Sequence, residues 1–167
     1  MRYWPYALAV AIALADRGSK YLVETRLAAW DAVPVIPGLF QIVSTHNTGM
    51  AFSLFDNAAA GRTSPWLIVF TVAVLAVVAW LLWQAVRPGG DRDAPAHWSY
   101  RVALGLILGG ALGNLYDRLL VGTVTDFLDF YWGSAHFPVF NVADSAITCG
   151  AILVVLNLLL SRQAARA

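Results

Sequence analysis

Cysteine is nearly missing from this chain. The single one, Cys149, excludes an internal disulfide. It lies in an apolar run, where a thiol ordinarily acts as a small buried hydrophobe, and no histidine stands near it in sequence to activate it. Charge is scarce as well. Asp, Glu, Lys and Arg make up 13% of 167 residues against 59% hydrophobic residues, an apolar share beyond what a soluble domain of this length needs for its core. The formal net charge is +1 and there is no basic run, which argues against a nucleic-acid partner. The three histidines (His46, His97 and His136) are scattered, so no metal-ligand set stands out, and neither metal nor cofactor is expected. Gly109-Gly110 has no Lys-Ser/Thr after it and is not a phosphate loop. The two halves do not resemble each other, so the internal repeat common in transporters is missing.

Long apolar stretches are what the chain does have. They cover residues 4–23, 66–86, 100–117 and 142–160. A helix needs about 20 mostly apolar residues to cross the hydrocarbon core of a bilayer. The second and fourth stretches satisfy this outright; the first and third do so only with their polar ends at the interface. An all-α polytopic membrane protein of four spans follows, with both termini on one side. The seven Trp suit such a protein, whose aromatic rings settle at two membrane–water interfaces. A rival reading takes the first stretch as a cleaved signal peptide, with Arg2 as its basic start, Tyr6–Leu14 as its apolar core and Ala13-Leu14-Ala15 as its cleavage site. The positive charges do not settle orientation. Arg87, Arg92, Arg101, Arg162 and Arg166 stand on one side, and Arg17, Lys20, Arg26, Arg62 and Arg118 on the other.

The connections differ. In residues 24–65, Pro34 and Pro37 forbid a helix, and Val33–Ser44 favours short strands. His46–Gly49 reads as a turn, and residues 50–57 as a short amphipathic helix lying on the membrane. Residues 87–99 form a polar loop. Gly105, Gly109 and Gly113 share one face of the third helix, where a neighbouring helix can approach closely.

The polar residues inside these stretches carry the functional argument. A charge at the bilayer centre costs roughly 2.5–3.5 kcal/mol and persists only where it faces protein or water. Asp16 lies in the first span, Asn114, Asp117 and Arg118 end the third, and Asn141, Asp144 and Ser145 open the fourth. Alternating topology brings all of them to one layer. Asn141 and Asp144 are three apart and share a helix face, as do Asn114 and Asp117, and Asn114 and Arg118 are four apart. Asp126, in the extended-looking Val124–Phe127, can fold back against Asp144. Two neighbouring carboxylates share one proton, and such a pair can hydrolyse a peptide: the base takes a proton from water while the acid protonates the carbonyl. Spacing alone leaves two alternatives open, a small proton- or ion-coupled transporter using the same aspartates as a relay, and a structural polar network. Asp117 beside Arg118 reads as an ion pair, yet spacing does not separate it from Asp126 as a dyad member. Asp129, before the aromatic cluster Phe130-Tyr131-Trp132, reads as solvated.

Five blocks in order resemble the lipoprotein signal peptidase (signal peptidase II) family. They are Asp16–Lys20, with Arg17 where Gln is commoner; Asn47–Ser53; Gly113–Arg118; Val124–Phe127; and Phe140–Ile147. The resemblance places Asp16–Lys20 in the mature protein and so removes the cleaved-signal reading. It implies an aspartic endopeptidase with Asp126 and Asp144 as the catalytic pair. Asp16, Lys20, Asn47, Gly49, Asn114, Asp117, Arg118 and Asn141 would support the pair or bind substrate. Residues 24–65 would form a small extracytoplasmic β-like cradle over the site. The implied substrate is a diacylglyceryl-modified prolipoprotein, cut just before its lipid-bearing cysteine. The resemblance further implies inhibition by globomycin and residence in the bacterial cytoplasmic (inner) membrane, with cytoplasmic termini and an active site near the outer face. Beyond the surrounding lipids no other partner is expected, and the chain should act as a monomer. The Arg17 departure is not expected to abolish activity.

Overall fold

In the computed structural model, which describes residues 2–29, 31–49, 62–87 and 98–164, four helices dominate. They are α1 (Trp4–Arg26), α2 (Pro65–Val86), α3 (Trp98–Leu120) and α4 (Val142–Ala164). The short helix expected at 50–57 and most of the polar loop at 87–99 lie outside the described residues. Prolines in the first turns of α1 and α2 suit helix starts, where a missing N–H is no loss. α2 and residues Val142–Ser161 of α4 are long and apolar enough to cross a membrane by composition alone. α1 and α3 carry the charged residues discussed below. α1 runs three residues beyond the expected 23, which keeps Glu24 helical. α3 runs to Leu120, where Val121 and Gly122 N–H groups both donate to the Asp117 carbonyl (2.8 and 2.9 Å). Gly122 adopts φ +91, the left-handed conformation that closes a helix this way.

α3 is the central helix and packs on the other three. Leu75, Val78, Leu82 and Val86 of α2 meet Leu104, Leu108 and Ala111 of α3, with Ala9 of α1 joining them. The expected glycine face is turned to α1. A Cβ on Gly105 would stand 2.9 Å from the Pro5 carbonyl oxygen, and one on Gly109 2.5 Å from that of Ala9. On the opposite flank a Cβ on Gly110 would collide with the Ala143 carbonyl of α4, and one on Gly150 would stand 2.7 Å from the Ala103 carbonyl. α1 and α4 therefore press on α3 almost backbone to backbone, and the first turn of α4 comes within hydrogen-bond reach of Asp16. Cys149 is exposed, contrary to the buried role expected, because α4 turns Gly150 and Ala146 inward to α3 and leaves Cys149 facing outward.

A four-stranded antiparallel sheet of order β1 (Ala32–Ile36), β2 (Phe40–Asn47), β3 (Val124–Trp132) and β4 (Ala135–His136) accompanies the helices. The strands expected within 33–44 are the β1–β2 hairpin, turned at Gly38 (φ +83). The sheet corrects two expectations. His46 and Asn47 are strand rather than turn residues, because they pair with Thr125 and Val124, and the chain turns only after them, at Gly49 (φ +111). The third connection is also more than a short extended link. Its nine-residue β3 lies between β2 and β4, and Phe130 stacks between Phe40 (4.7 Å) and Phe140 (6.0 Å).

Candidate active site

The first turn of α4 sets the position of Asp144. Asn141 is its N-cap. The Asn141 Oδ1 accepts the Asp144 N–H (2.9 Å), and the Asp144 Oδ2 accepts the Asn141 N–H (3.3 Å). This reciprocal pair is a capping box, which satisfies amide groups that a helix start leaves unpaired. A further first-turn amide, on Ala143, donates to Asp16 Oδ1 of α1 at 2.9 Å. Asn114 of α3 donates its Nδ2 to Asp144 Oδ1 (2.8 Å). The carboxylate is thus fixed from α3 and from its own cap.

Asp126 arrives on β3. Asn47 of β2 donates Nδ2 to its Oδ2 (2.9 Å), and Asn141 donates Nδ2 to its Oδ1 (2.6 Å). Gly49 N–H donates to Asn47 Oδ1 (2.8 Å), which orients that amide toward Asp126. Asn141 consequently touches both carboxylates, one through its amide nitrogen and the other through its cap. Asp126 is 3% exposed, and burial, reinforced by the Asp144 charge, pushes its carboxyl up to about 6 against the hydrogen bonds from Asn47 and Asn141 and the Lys20 charge.

Behind the pair lies a buried ionic cluster. Lys20 Nζ, with its side chain fully enclosed, contacts Asp16 Oδ2 (2.7 Å), Asp117 Oδ2 (2.8 Å) and Asn114 Oδ1 (3.0 Å). Arg17 reaches Asp117 at 3.3 Å. The Asp117–Arg118 pairing expected from their adjacency is therefore not the one formed. Successive helical residues point about 100° apart, so Asp117 faces α1 while Arg118 faces a groove shared with α2 and α4. Asp117 is engaged by Lys20 and Arg17, whereas Asp126 shares Asn141 with Asp144, a separation that spacing alone could not make. Arg118 Nε is buried without a hydrogen-bond partner among the described residues. Asp129 is also corrected. It is buried rather than solvated, accepting from Gln41 Nε2 (2.7 Å) and contacting His136 Nδ1 (2.9 Å).

Glu24 and Thr125 escaped the sequence reading. Arg17 binds Glu24 through both guanidinium nitrogens (3.1 and 2.6 Å), and Thr125 Oγ1 donates to Glu24 Oε1 (2.7 Å). The spacing of Lys20 and Glu24 after Asp16 and Arg17 along α1 could have revealed Glu24, whereas nothing in that spacing points to Thr125 on β3.

A groove of about 250 Å³ opens on Asp144. Phe70 and Val74 of α2 and Ile147 of α4 make it apolar, and Asn114, Arg118 and Asp144 make one end polar. Among the described residues no group of three His, Cys, Asp or Glu side chains could hold a metal ion.

Two solved structures of bacterial membrane enzymes share this fold. One superposes with a TM-score of 0.76 at 30% identity, covering 95% of this chain and 88% of its own; the other gives 0.74 at 31%, covering 93% and 92%. Both neighbours are membrane enzymes, and the two apolar helices α2 and α4 are consistent with this chain being a membrane protein of that fold. The model of the family described as signal peptidase (SPase) II matches residues 8–160. The lipoprotein signal peptidase of Solibacter usitatus is 42% identical over 99% of this chain and 96% of its own length, and that of Symbiobacterium thermophilum 44% over 92% of each. The chain belongs to the signal peptidase II family, whose work is removing signal peptides from lipoproteins.

Proposed function

We propose that this peptidase is an intramembrane aspartic endopeptidase, with Asp126 and Asp144 as its catalytic pair, that cuts diacylglyceryl-modified prolipoproteins just before the lipid-bearing cysteine. The observation that carries the reading is that one residue, Asn141, contacts both carboxylates, its side-chain Nδ2 donating to Asp126 and its backbone N–H to Asp144. The pair keeps one proton between them. The ionised member takes a proton from water as the water oxygen attacks the scissile carbonyl. The protonated member gives its proton to the carbonyl oxygen. Collapse of the resulting diol returns a proton to the departing cysteine nitrogen. Arg118 lines the groove, its Nε has no hydrogen-bond partner among the described residues, and it would bind the substrate backbone or its developing oxyanion. Asn114 and Asn141 orient the pair, Asp16 and Lys20 hold α1 and α4 to α3, and Asn47 and Gly49 reach in from the sheet.

The same reading makes all four helices spans in the bacterial inner membrane, with both termini cytoplasmic. At about 1.5 Å per residue each reaches roughly 33–35 Å, enough for the hydrocarbon core. The apolar lining of the groove suits acyl chains, each buried CH₂ contributing about 0.8 kcal/mol, and the lipid would fix the depth of the scissile bond at the aspartate layer. The sheet would form the extracytoplasmic cradle. Lipids and prolipoproteins would be its partners, globomycin its inhibitor, and the monomer its working form.

The test is cleavage of a diacylglyceryl-modified prolipoprotein by purified protein, with and without globomycin. Asp126→Asn and Asp144→Asn should each lower kcat by at least about 10³-fold while the protein stays folded. Substantial cleavage by either variant would remove the mechanism. Ion flux in proteoliposomes lost with the same substitutions, and no cleavage by the unaltered protein, would favour the transport relay instead.

A further inference from the structure

Asp16 and Glu24 lie eight residues apart on α1, about 12 Å along its axis. Each reaches the residue immediately before one of the two aspartates. Asp16 Oδ1 accepts the Ala143 N–H (2.9 Å), next to Asp144. Glu24 Oε1 accepts the Thr125 hydroxyl proton (2.7 Å), next to Asp126. Arg17 clamps Glu24 with two nitrogens and extends to Asp117, and Lys20 joins Asp117 to Asp16. One rigid helix face thus spans the distance between the strand bearing one aspartate and the helix bearing the other.

Strand geometry gives this tie its leverage. Successive side chains on a strand point to opposite faces. Thr125, which is fully buried, points to α1, and Asp126 points to Asn47 and Asn141. Holding the Thr125 hydroxyl therefore fixes the rotation of β3 about its own axis, and with it the direction of the Asp126 carboxylate. The Thr125 carbonyl also receives Asn141 Nδ2 at 3.4 Å, so the same peptide unit touches the residue that bridges the pair. An ion pair serving only to neutralise Arg17 would not need the Thr125 contact.

From this geometry we infer that Glu24, clamped by Arg17, is a positioning residue of the peptidase, acting through Thr125 to set where Asp126 stands relative to Asp144. The inference rests on the aspartic reading of the site. The charged groups bearing on Asp126 are Asp144 from α4, Lys20 from α1 and Arg118 from α3, while Glu24 faces Arg17 and His46. None of these groups except Glu24 is altered by the decisive variants.

Those variants are Thr125→Val, Thr125→Ser and Glu24→Gln in the full chain reconstituted in lipid, assayed on a diacylglyceryl-modified peptide beside Asp126→Asn. A misplacement of about 1 Å costs up to about 100-fold, so Thr125→Val should lower kcat by roughly 10- to 100-fold with KM within about twofold. The alkaline limb of its kcat profile should move to higher pH, because the hydrogen bonds that hold the Asp126 carboxyl down loosen. Thr125→Ser, which keeps the hydroxyl, should restore both kcat and the limb. Glu24→Gln keeps an acceptor but weakens the Arg17 clamp, and should give a smaller loss with the same displacement; it also serves if Thr125→Val does not fold. If Thr125→Val or Glu24→Gln melts lower yet keeps the unaltered kcat and limb, or if only KM rises, the tie is structural and the inference is overturned. Cleavage by Asp126→Asn would instead sink the aspartic reading itself, whatever the Thr125 variants do.

Discussion

Asn141 carries two tasks in one side chain, since its Oδ1 caps α4 while its Nδ2 holds Asp126. Asn141→Ala should therefore do two separable things. Loss of the cap should cost about 1 kcal/mol of stability, and loss of the bridge should lower kcat by roughly 10²-fold. Asn141→Ser, which can cap but cannot reach Asp126, should recover the stability without the activity, as unfolding in detergent and turnover together would read. Asp126 makes a second prediction at this scale. Its carboxyl sits at about 6 in the folded protein, above the 3.8 of a free aspartate. The native state then binds the proton more tightly than the unfolded chain. The stability this group contributes is full below pH 3.8 and is lost as pH rises through 6. Asp126→Asn, neutral at every pH, escapes that loss. It should gain on the unaltered protein between pH 4 and pH 7.5 by an amount on the order of 2 kcal/mol, read as unfolding free energy at the two pH values. A structural polar network predicts the reverse, a loss of stability on substitution at neutral pH.

Among the elements, α3 is the one whose surface decides the assembly. Gly109 lets the α1 backbone approach, and a Cβ there would lie 2.5 Å from the Ala9 carbonyl oxygen, an atom that cannot move aside without the helix. Gly109→Val should destabilise the protein by about 1–3 kcal/mol, measurable as a lower unfolding temperature. Because α1 carries Asp16 and Glu24, activity should fall with the displacement of α1 even in the molecules that remain folded. The capping box of α4 and the glycine face of α3 were both readable as spacings: residues 141 and 144 three apart, and glycines 105, 109 and 113 four apart. β3 was not readable in full. Only Val124–Phe127 looked extended, and Phe130-Tyr131-Trp132 resembled an interfacial belt, because a strand paired on both sides shows no pattern that distinguishes its aromatic end from a membrane-facing cluster.

Across the whole molecule, the groove between α2, α3 and α4 links the apolar helices to the polar layer. Val74 lines it from α2, away from the ionic cluster. Val74→Trp should fill much of its roughly 250 Å³ and raise KM for a diacylglyceryl substrate by about tenfold or more, with kcat less affected. Equal KM values for the two proteins would show that the lipid chains lie elsewhere.

The sequence by itself determined the four helical segments, the strand tendency of 33–44, and the convergence of Asp16, Asn114, Asn141 and Asp144 on one layer. Hydropathy, proline positions and helical periodicity are local properties that survive without a fold. Only the tertiary structure decided which charges pair. Asp117 chose Lys20 and Arg17 over its neighbour Arg118, Asp129 was buried by Gln41 and His136, and Asp126 rather than Asp117 came to share Asn141 with Asp144. Pairing depends on direction as much as on distance along the chain. The directions of Thr125 and Asp126 exist only once β3 is held between its neighbours and against α1.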